Sequence, residues 1–279
     1  LGERIGKRGF WKRELSLPIG IGAPGIVHKG VVKYPPNFKN WRQVDLKRIL
    51  SRKYKTRVEV DNDANCAGLA ELYFGYGKKY KSFLYLTLGT GVGGAIINDG
   101  KIFRGEQNGA GEFGMMTINF NGPPCLGGNP GAVEAYIGRN YFLQAHKEKI
   151  KKLPKSSLPT LDKLEGTDLD FKELTLLASR GSKLAKQLLA QYGFYLGVGL
   201  TNYFNLMDVH TCILGGGISN AYQFFIRECR KTIQERSLNT VKNNFRVLKS
   251  NLPDPGILGA ASLVLNNPIY SSTPKSASK

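Results

Sequence analysis

The stretch Val60–Gly94, VDNDANCAGLAELYFGYGKKYKSFLYLTLGTGVGG, constrains this chain more than any other. A strand-like run, Arg57 to Val60, ends in an acidic, amide-rich turn of Asp61, Asn62, Asp63 and Asn65. Apolar residues at Ala67, Leu69, Ala70, Leu72 and Phe74 then predict a short helix, with Asn65 or Asp63 as its cap. A buried-strand pattern, Ser82 to Leu88, runs directly into Gly89, Thr90, Gly91, Gly93 and Gly94. A strand that breaks this way offers backbone N–H groups and hydroxyls to an anion. It is also the composition of an ordinary hairpin turn. Asp63 stands at a strand-to-helix junction, placed either to accept a proton from a molecule held nearby or simply to cap a helix.

The flanking segments read as alternating strands and helices. Leu15–Ile21 is strand-like, and Gly22, Ala23, Pro24 and Gly25 form a tight turn. Ile26–Val32 reads as one more strand around Gly30, followed by a loop through Pro35, Pro36, Asn37 and Phe38 that Trp41 anchors. Val44–Leu50 reads as a surface helix, and Asn98-Asp99-Gly100 as a hairpin turn. A second glycine-flanked acidic loop holds Glu112, and an irregular segment, Asn121–Gly131, leads into a helix over Ala132–Ile150. Glu134 falls in that helix's first turn, where the helix dipole favours a carboxylate.

Lys151–Asp168 reads as an exposed connection and Leu174–Leu206 as largely helical, with Gly181, Gly193, Gly197 and Gly199 as bends or close-packing points. The buried strand Thr211–Leu214 breaks at Gly215, Gly216 and Gly217, and Ser219 is placed to cap the next helix. Phe245–Leu248 is the last strand and Ile257–Leu265 the terminal helix. Strands alternating with helices define an α/β class.

With 279 residues, 41% of them apolar, the chain has material for a large core or two lobes. Its 40 basic and 21 acidic residues leave a charge of +19, which attracts polyanions in general. No basic-aromatic interleaving, Cys/His finger or helix-turn-helix signal marks a specific nucleic-acid groove, so the charge reads as solvated surface. Cys66, Cys125, Cys212 and Cys229 stand in unrelated contexts and suit reduced thiols. With no secretory leader and no apolar run of spanning length, the expected location is cytoplasmic, with no membrane partner.

Five ordered motifs carry a more specific likeness. Asp61-Asn62-Asp63-Ala64-Asn65, Leu86 to Gly94, Gly111-Glu112-Phe113-Gly114, Gly22-Ala23-Pro24-Gly25 and Leu214-Gly215-Gly216-Gly217-Ile218 together resemble the ROK family of repressors and sugar kinases over roughly residues 17–265. The resemblance implies an actin-like, hexokinase-like ATPase fold with two lobes. Residues 1–80 would form a partial small lobe and 81–250 the large lobe. Residues 251–267 would return as a helix to the small lobe, and 268–279 would be a disordered tail. It also implies ATP-dependent phosphorylation of a hexose or amino sugar with Mg²⁺, as in glucokinases, and pairing into homodimers.

By the same resemblance Asp63 matches the catalytic base. Asn62, Gly25, Asn37, Glu112 and Glu134 match sugar-binding positions. Thr87, Gly89, Thr90 and Gly91 match the second phosphate loop, and Gly215, Gly216 and Gly217 the turn beside adenosine. Neutral sugars suit such a set, because each hydroxyl both donates and accepts and needs fixed polar partners.

The sequence departs from the family pattern twice. Kinases of the family open with an Asp-x-Gly-Gly-Thr hairpin that grips ATP phosphates and Mg²⁺. The residues before Gly22 supply none, which implies an incomplete small lobe and, as the alternative function, a truncated or degenerate relative that binds sugar with little or no kinase activity. The family's structural zinc site uses a histidine and three cysteines. Here those positions hold Met115, Cys125, Gly127 and Ala132, so no zinc is expected. Met115 then either alters the sugar site or packs beneath the loop.

Overall fold

A computed structural model describes residues 17–35, 38, 40–127, 129–153 and 171–265. The expected loop residue Asn37, the connection at 154–168 and the tail lie outside them. Two strands, β1 (Ile19–Ala23) and β5 (Val58–Asn62), pair in parallel from Ile19↔Val58 to Ala23↔Asn62. Between them in the chain, β2 (Ile26–His28), β3 (Val31–Lys33) and β4 (Gln43–Asp45) form a small antiparallel sheet, followed by α1 (Leu46–Tyr54). The single strand expected over Ile26–Val32 is therefore two. Lys29 (φ 51°) and Gly30 (φ 85°) both adopt left-handed backbone, which makes the two-residue hairpin whose twist matches its strands.

Helix α2 (Asp63–Phe74) leaves β5 directly. The larger sheet follows: β6 (Phe83–Leu88), β7 (Val92–Asn98) and β8 (Lys101–Phe103), joined later by β9 (Thr211–Gly215) and β10 (Arg246–Lys249) in the order β10-β9-β6-β7-β8. The first three of that order are parallel and the last two antiparallel. The alternation within β6 explains why both faces are covered. Phe83 and Tyr85 join Cys66, Leu69 and Leu72 of α2 in one apolar cluster, while Leu84, Leu86 and Leu88 join the main core on the other side.

That main core is built with α3 (Val133–Ile137), α4 (Arg139–Ala145), α5 (Lys147–Ile150), α6 (Phe171–Ser179), α7 (Lys183–Met207), α8 (Tyr222–Arg236) and α9 (Asn239–Lys242). The one helix expected over Ala132–Ile150 is broken into three. Gly138 is extended (ψ 135°) at the first break, and His146 leaves helical geometry (φ −109°, ψ 9°) at the second. Leu174–Leu206 divides at Gly181 (φ 96°). Helix α7 then runs uninterrupted, and Gly193 and Gly197 serve as points where α8 lies directly against it.

The terminal helix α10 (Pro255–Ser262) packs on α2 and β1. A Cβ at Gly259 would overlap the backbone carbonyl of Cys66, so the two helices touch main chain to main chain. Helix α2 is thereby held between the larger sheet on one flank and β1 and α10 on the other.

Candidate active site

The carboxyl ends of the parallel strands converge, and open α/β sheets take ligands beyond such ends. Strands β6, β9 and β10 feed the turns at Gly89–Gly91, Gly216–Gly217 and Ser250–Pro253, while β1 and β5 feed Pro24–Gly25 and Asp63. Thr87 and Gly215 are register partners on adjacent strands, which sets the second glycine run beside the third.

Asn62, the last residue of β5, caps α2: its extended backbone lets Oδ1 accept from the N–H groups of Ala64 (2.9 Å) and Asn65 (3.1 Å). The cap is therefore neither Asp63 nor Asn65, as expected from sequence. Asn65 donates instead to the buried carboxylate of Asp61 (3.0 Å), which also receives Arg104 through Nε (3.2 Å) and Nη2 (2.6 Å). The Asn62 amide donates to the carbonyl of Gly25 (3.0 Å), joining two of the expected sugar-binding positions.

Relieved of sole capping duty, Asp63 faces a cleft of about 340 Å³ lined also by Ala67, Tyr85, Thr87, Gly216 and Asp254–Ile257. Burial lifts its carboxyl above the usual range, against the N–H of Ala64, its own N–H and the Asn62 side chain, which pull it down. Glu112 precedes a short 3₁₀ turn, Phe113–Met115. Its carboxyl is raised by the protein crowding it and then by the negative charges of Glu134 and Asp63, so the three acids share one field.

Glu134 is fixed in place. Its Oε2 accepts the N–H of Val92 (2.8 Å), just past Gly91, and the thiol of Cys125 lies 3.6 Å from Oε1.

The Gly89–Gly91 segment is the three-residue turn of the β6–β7 hairpin, with the Gly89 N–H donating to the Gly91 carbonyl (3.0 Å). A hairpin turn and a phosphate-facing loop are thus compatible descriptions of the same residues. Gly216 (φ 80°) presses against the Leu88 backbone, where no Cβ fits, while Gly217 faces open space. A second, larger cleft of about 570 Å³ runs from Gly215–Gly217 to Lys249–Pro255, and Gly216, Asp254 and Pro255 line both. Ser219 does not cap α8 as expected. It lies in a 3₁₀ turn with its hydroxyl donating to the Gly216 carbonyl (2.7 Å), so it braces the glycine turn.

Sequence reading missed the wall from Ser250 to Ile257. The signal was present in Pro253-Asp254-Pro255-Gly256, where Asp254 takes a left-handed backbone (φ 42°) before a proline, an uncommon conformation.

The donors at the family's zinc positions do not fit that metal. Met115 lies with its sulfur against Gly127, next to a small apolar cluster of Cys125, Ala132 and Ala135. The loop is held by hydrogen bonds from the Leu126 N–H to Tyr141 Oη (2.8 Å) and from Asn129 to the Met115 carbonyl (3.3 Å). One thiol and a thioether do not make a tetrahedral zinc centre. All four cysteines are buried and free. Among the described residues, no helix is long and apolar enough to cross a membrane.

Two α/β sheets with their strand ends gathered on a shared cleft define an actin-like, hexokinase-like ATPase fold. The model of the ROK family matches residues 12–267, and the chain belongs to that family. It is 31% identical over 253 residues to the xylose repressor of Bacillus subtilis, covering 90% of this chain and 62% of the repressor. It is 31% identical over 251 residues to the glucokinase of Thermotoga maritima, covering 88% of this chain and 78% of that one. The solved ROK family glucokinase of Streptomyces griseus, in complex with glucose and AMPPNP, superposes with a TM-score of 0.77 at 29% identity. That match covers 88% of this chain and 80% of the glucokinase. The chain thus spans less than two thirds of the length of the xylose repressor it matches.

Proposed function

We propose that the protein transfers a phosphoryl group from ATP to a hexose hydroxyl, with Asp63 as the base. The observation that carries this reading is the shared cleft: Asp63 lines it together with Thr87 and Gly216, while Glu112 stands close enough for the charges of Glu134 and Asp63 to reach its carboxyl. Asn62, Gly25, Glu112 and Glu134 would hold the sugar through paired donors and acceptors. Thr87 and Gly89–Gly91 would face the phosphates and Gly215–Gly217 the adenosine, in the larger cleft. A lifted Asp63 carboxyl suits a base, since it accepts a proton more readily than an ordinary aspartate. The lobes, residues 1–80 and 81–250 with 251–267 crossing between them, would close to exclude water.

Phosphoryl transfer depends on positioning and charge neutralisation. Mg²⁺, carried by ATP phosphates and water, would supply part of that neutralisation, and Asp254 and Thr87, which line the same cleft, offer hard oxygens suited to such an ion. The likeness to glucokinases supports the sugar and nucleotide classes.

A coupled ADP-release assay over hexoses and amino sugars, comparing the chain with Asp63→Asn, tests the proposal. The substitution should lower kcat by about 10²–10⁴-fold, the usual worth of a general base. Activity that survives it would remove Asp63 from the role. A second reading, a sugar-binding chain without transfer, is favoured by the equal likeness to the xylose repressor. Sugar-dependent thermal stabilisation with no ADP release from either protein would select it.

A further inference from the structure

Glu71 lies on the same helix as Asp63, two turns further along, and is completely buried. Its ties are to neutral donors: Oε2 accepts the Tyr76 N–H (3.1 Å) and Oε1 accepts the hydroxyl of Ser250. Ser250 in turn accepts the Leu252 N–H (3.3 Å) at Oγ, and its own N–H donates to the Leu214 carbonyl (2.8 Å). Ser250 and Leu252 belong to the wall of the larger cleft, which continues to Asp254 and Pro255 at the entrance to the smaller one. Gly75 leaves room for the carboxylate, since a Cβ there would overlap Oε2. The charge of Glu71 also reaches the Tyr85 hydroxyl, raising its proton affinity after burial has done so, and that hydroxyl abuts Gly215.

A buried carboxylate is costly to desolvate unless its acceptor capacity is used. Here both oxygens are used, and the direction of each bond is fixed. A carboxylate only accepts, so Ser250 donates to Glu71 and keeps its oxygen lone pairs for the Leu252 N–H. A glutamine has one acceptor oxygen and would turn an N–H₂ group toward either Tyr76 N–H or Ser250.

We infer that Glu71 is a positioning residue for the nucleotide cleft: through Ser250 it ties the Ser250–Pro255 wall to the helix that bears Asp63. This rests on the reading of the larger cleft as the nucleotide side. Glu71 lines neither cleft, so its effect passes through the loop.

The test measures binding of AMPPNP and of the preferred sugar by calorimetry to the full chain and to Glu71→Gln, Ser250→Ala and the double variant. Amide exchange across residues 250–255 is followed in parallel. Glu71→Gln should weaken AMPPNP binding at least tenfold, leave sugar affinity within twofold, and accelerate exchange in the loop. Ser250→Ala, which opens no core cavity, should do the same, and Glu71→Gln should add little in its background. Unchanged AMPPNP binding, equal loss of both ligands, or full additivity of the two substitutions would overturn the inference while leaving the kinase proposal intact. A wild-type chain that binds sugar but no nucleotide would overturn the kinase proposal, and this inference with it.

Discussion

Replacing Arg104 with methionine isolates the ion pair beneath the turn that carries Asp63. The Asp61 side chain is 5% exposed and that of Arg104 29%, with Nη2 2.6 Å from Oδ2. Removing one partner of a buried pair strands the other charge and costs about 3–5 kcal/mol. Two features place this case at the lower end, about 3 kcal/mol. Arg104 is partly solvated, and Asp61 Oδ1 keeps the Asn62 N–H (2.8 Å) and the Asn65 amide (3.0 Å). For a chain of this size each kcal/mol moves Tm by about 2–4 °C, so Arg104→Met should lower it by about 6–12 °C. Adding Asp61→Asn removes the stranded charge while keeping an acceptor for Asn62 and Asn65, and should restore about 2 kcal/mol. Urea denaturation of the four proteins of the cycle measures both quantities. A loss below about 1 kcal/mol for Arg104→Met, or a double variant no more stable than the single one, would refute the reasoning.

Three further outcomes follow from the site. Because Glu112 holds its proton to higher pH when folded, the stability this gives is present below the ordinary glutamate value of 4.5 and is lost as pH rises through the folded value. Glu112→Gln should therefore raise Tm at pH 7, with the gain vanishing in scans at the acid end. Gly216→Ala forces a Cβ into the Leu88 backbone at positive φ and should cost about 1–3 kcal/mol in denaturant titrations, with AMPPNP binding weakened as well. Prolonged dialysis against a chelator should leave Tm unchanged, since the Met115–Cys125 loop is held by packing and hydrogen bonds. A fall of several degrees would reveal a bound metal.

The parts of the site legible in the sequence were those where residue type has few alternatives. A strand ending in Gly89-Thr90-Gly91 can only turn, and an Asp-Asn-Asp run before an apolar-periodic segment can only begin a helix. Which of those acids and amides did the capping was not legible, because three adjacent residues are competent and the extended end of β5 decided for Asn62. The break at Gly138 was hidden for a related reason. Glycine is tolerated within helices, and nothing local announces that this one is extended. Likewise the wall at Ser250–Ile257 depends on its docking to α2, a contact between residues nearly two hundred positions apart that no window of sequence contains. The assignment of Asp63 to a cleft rather than to a cap alone required the structure, since both share the same residue pattern.

The main-chain seat of Gly259 on Cys66 has a consequence for biosynthesis. A ribosome releases the Asp63 segment long before it makes the helix at 255–262, yet that late helix closes one side of the cleft Asp63 faces. Nascent chains should therefore present no complete cleft to a ligand until the helix at 255–262 has emerged. Competence would arrive abruptly, as a final docking event, rather than growing with length.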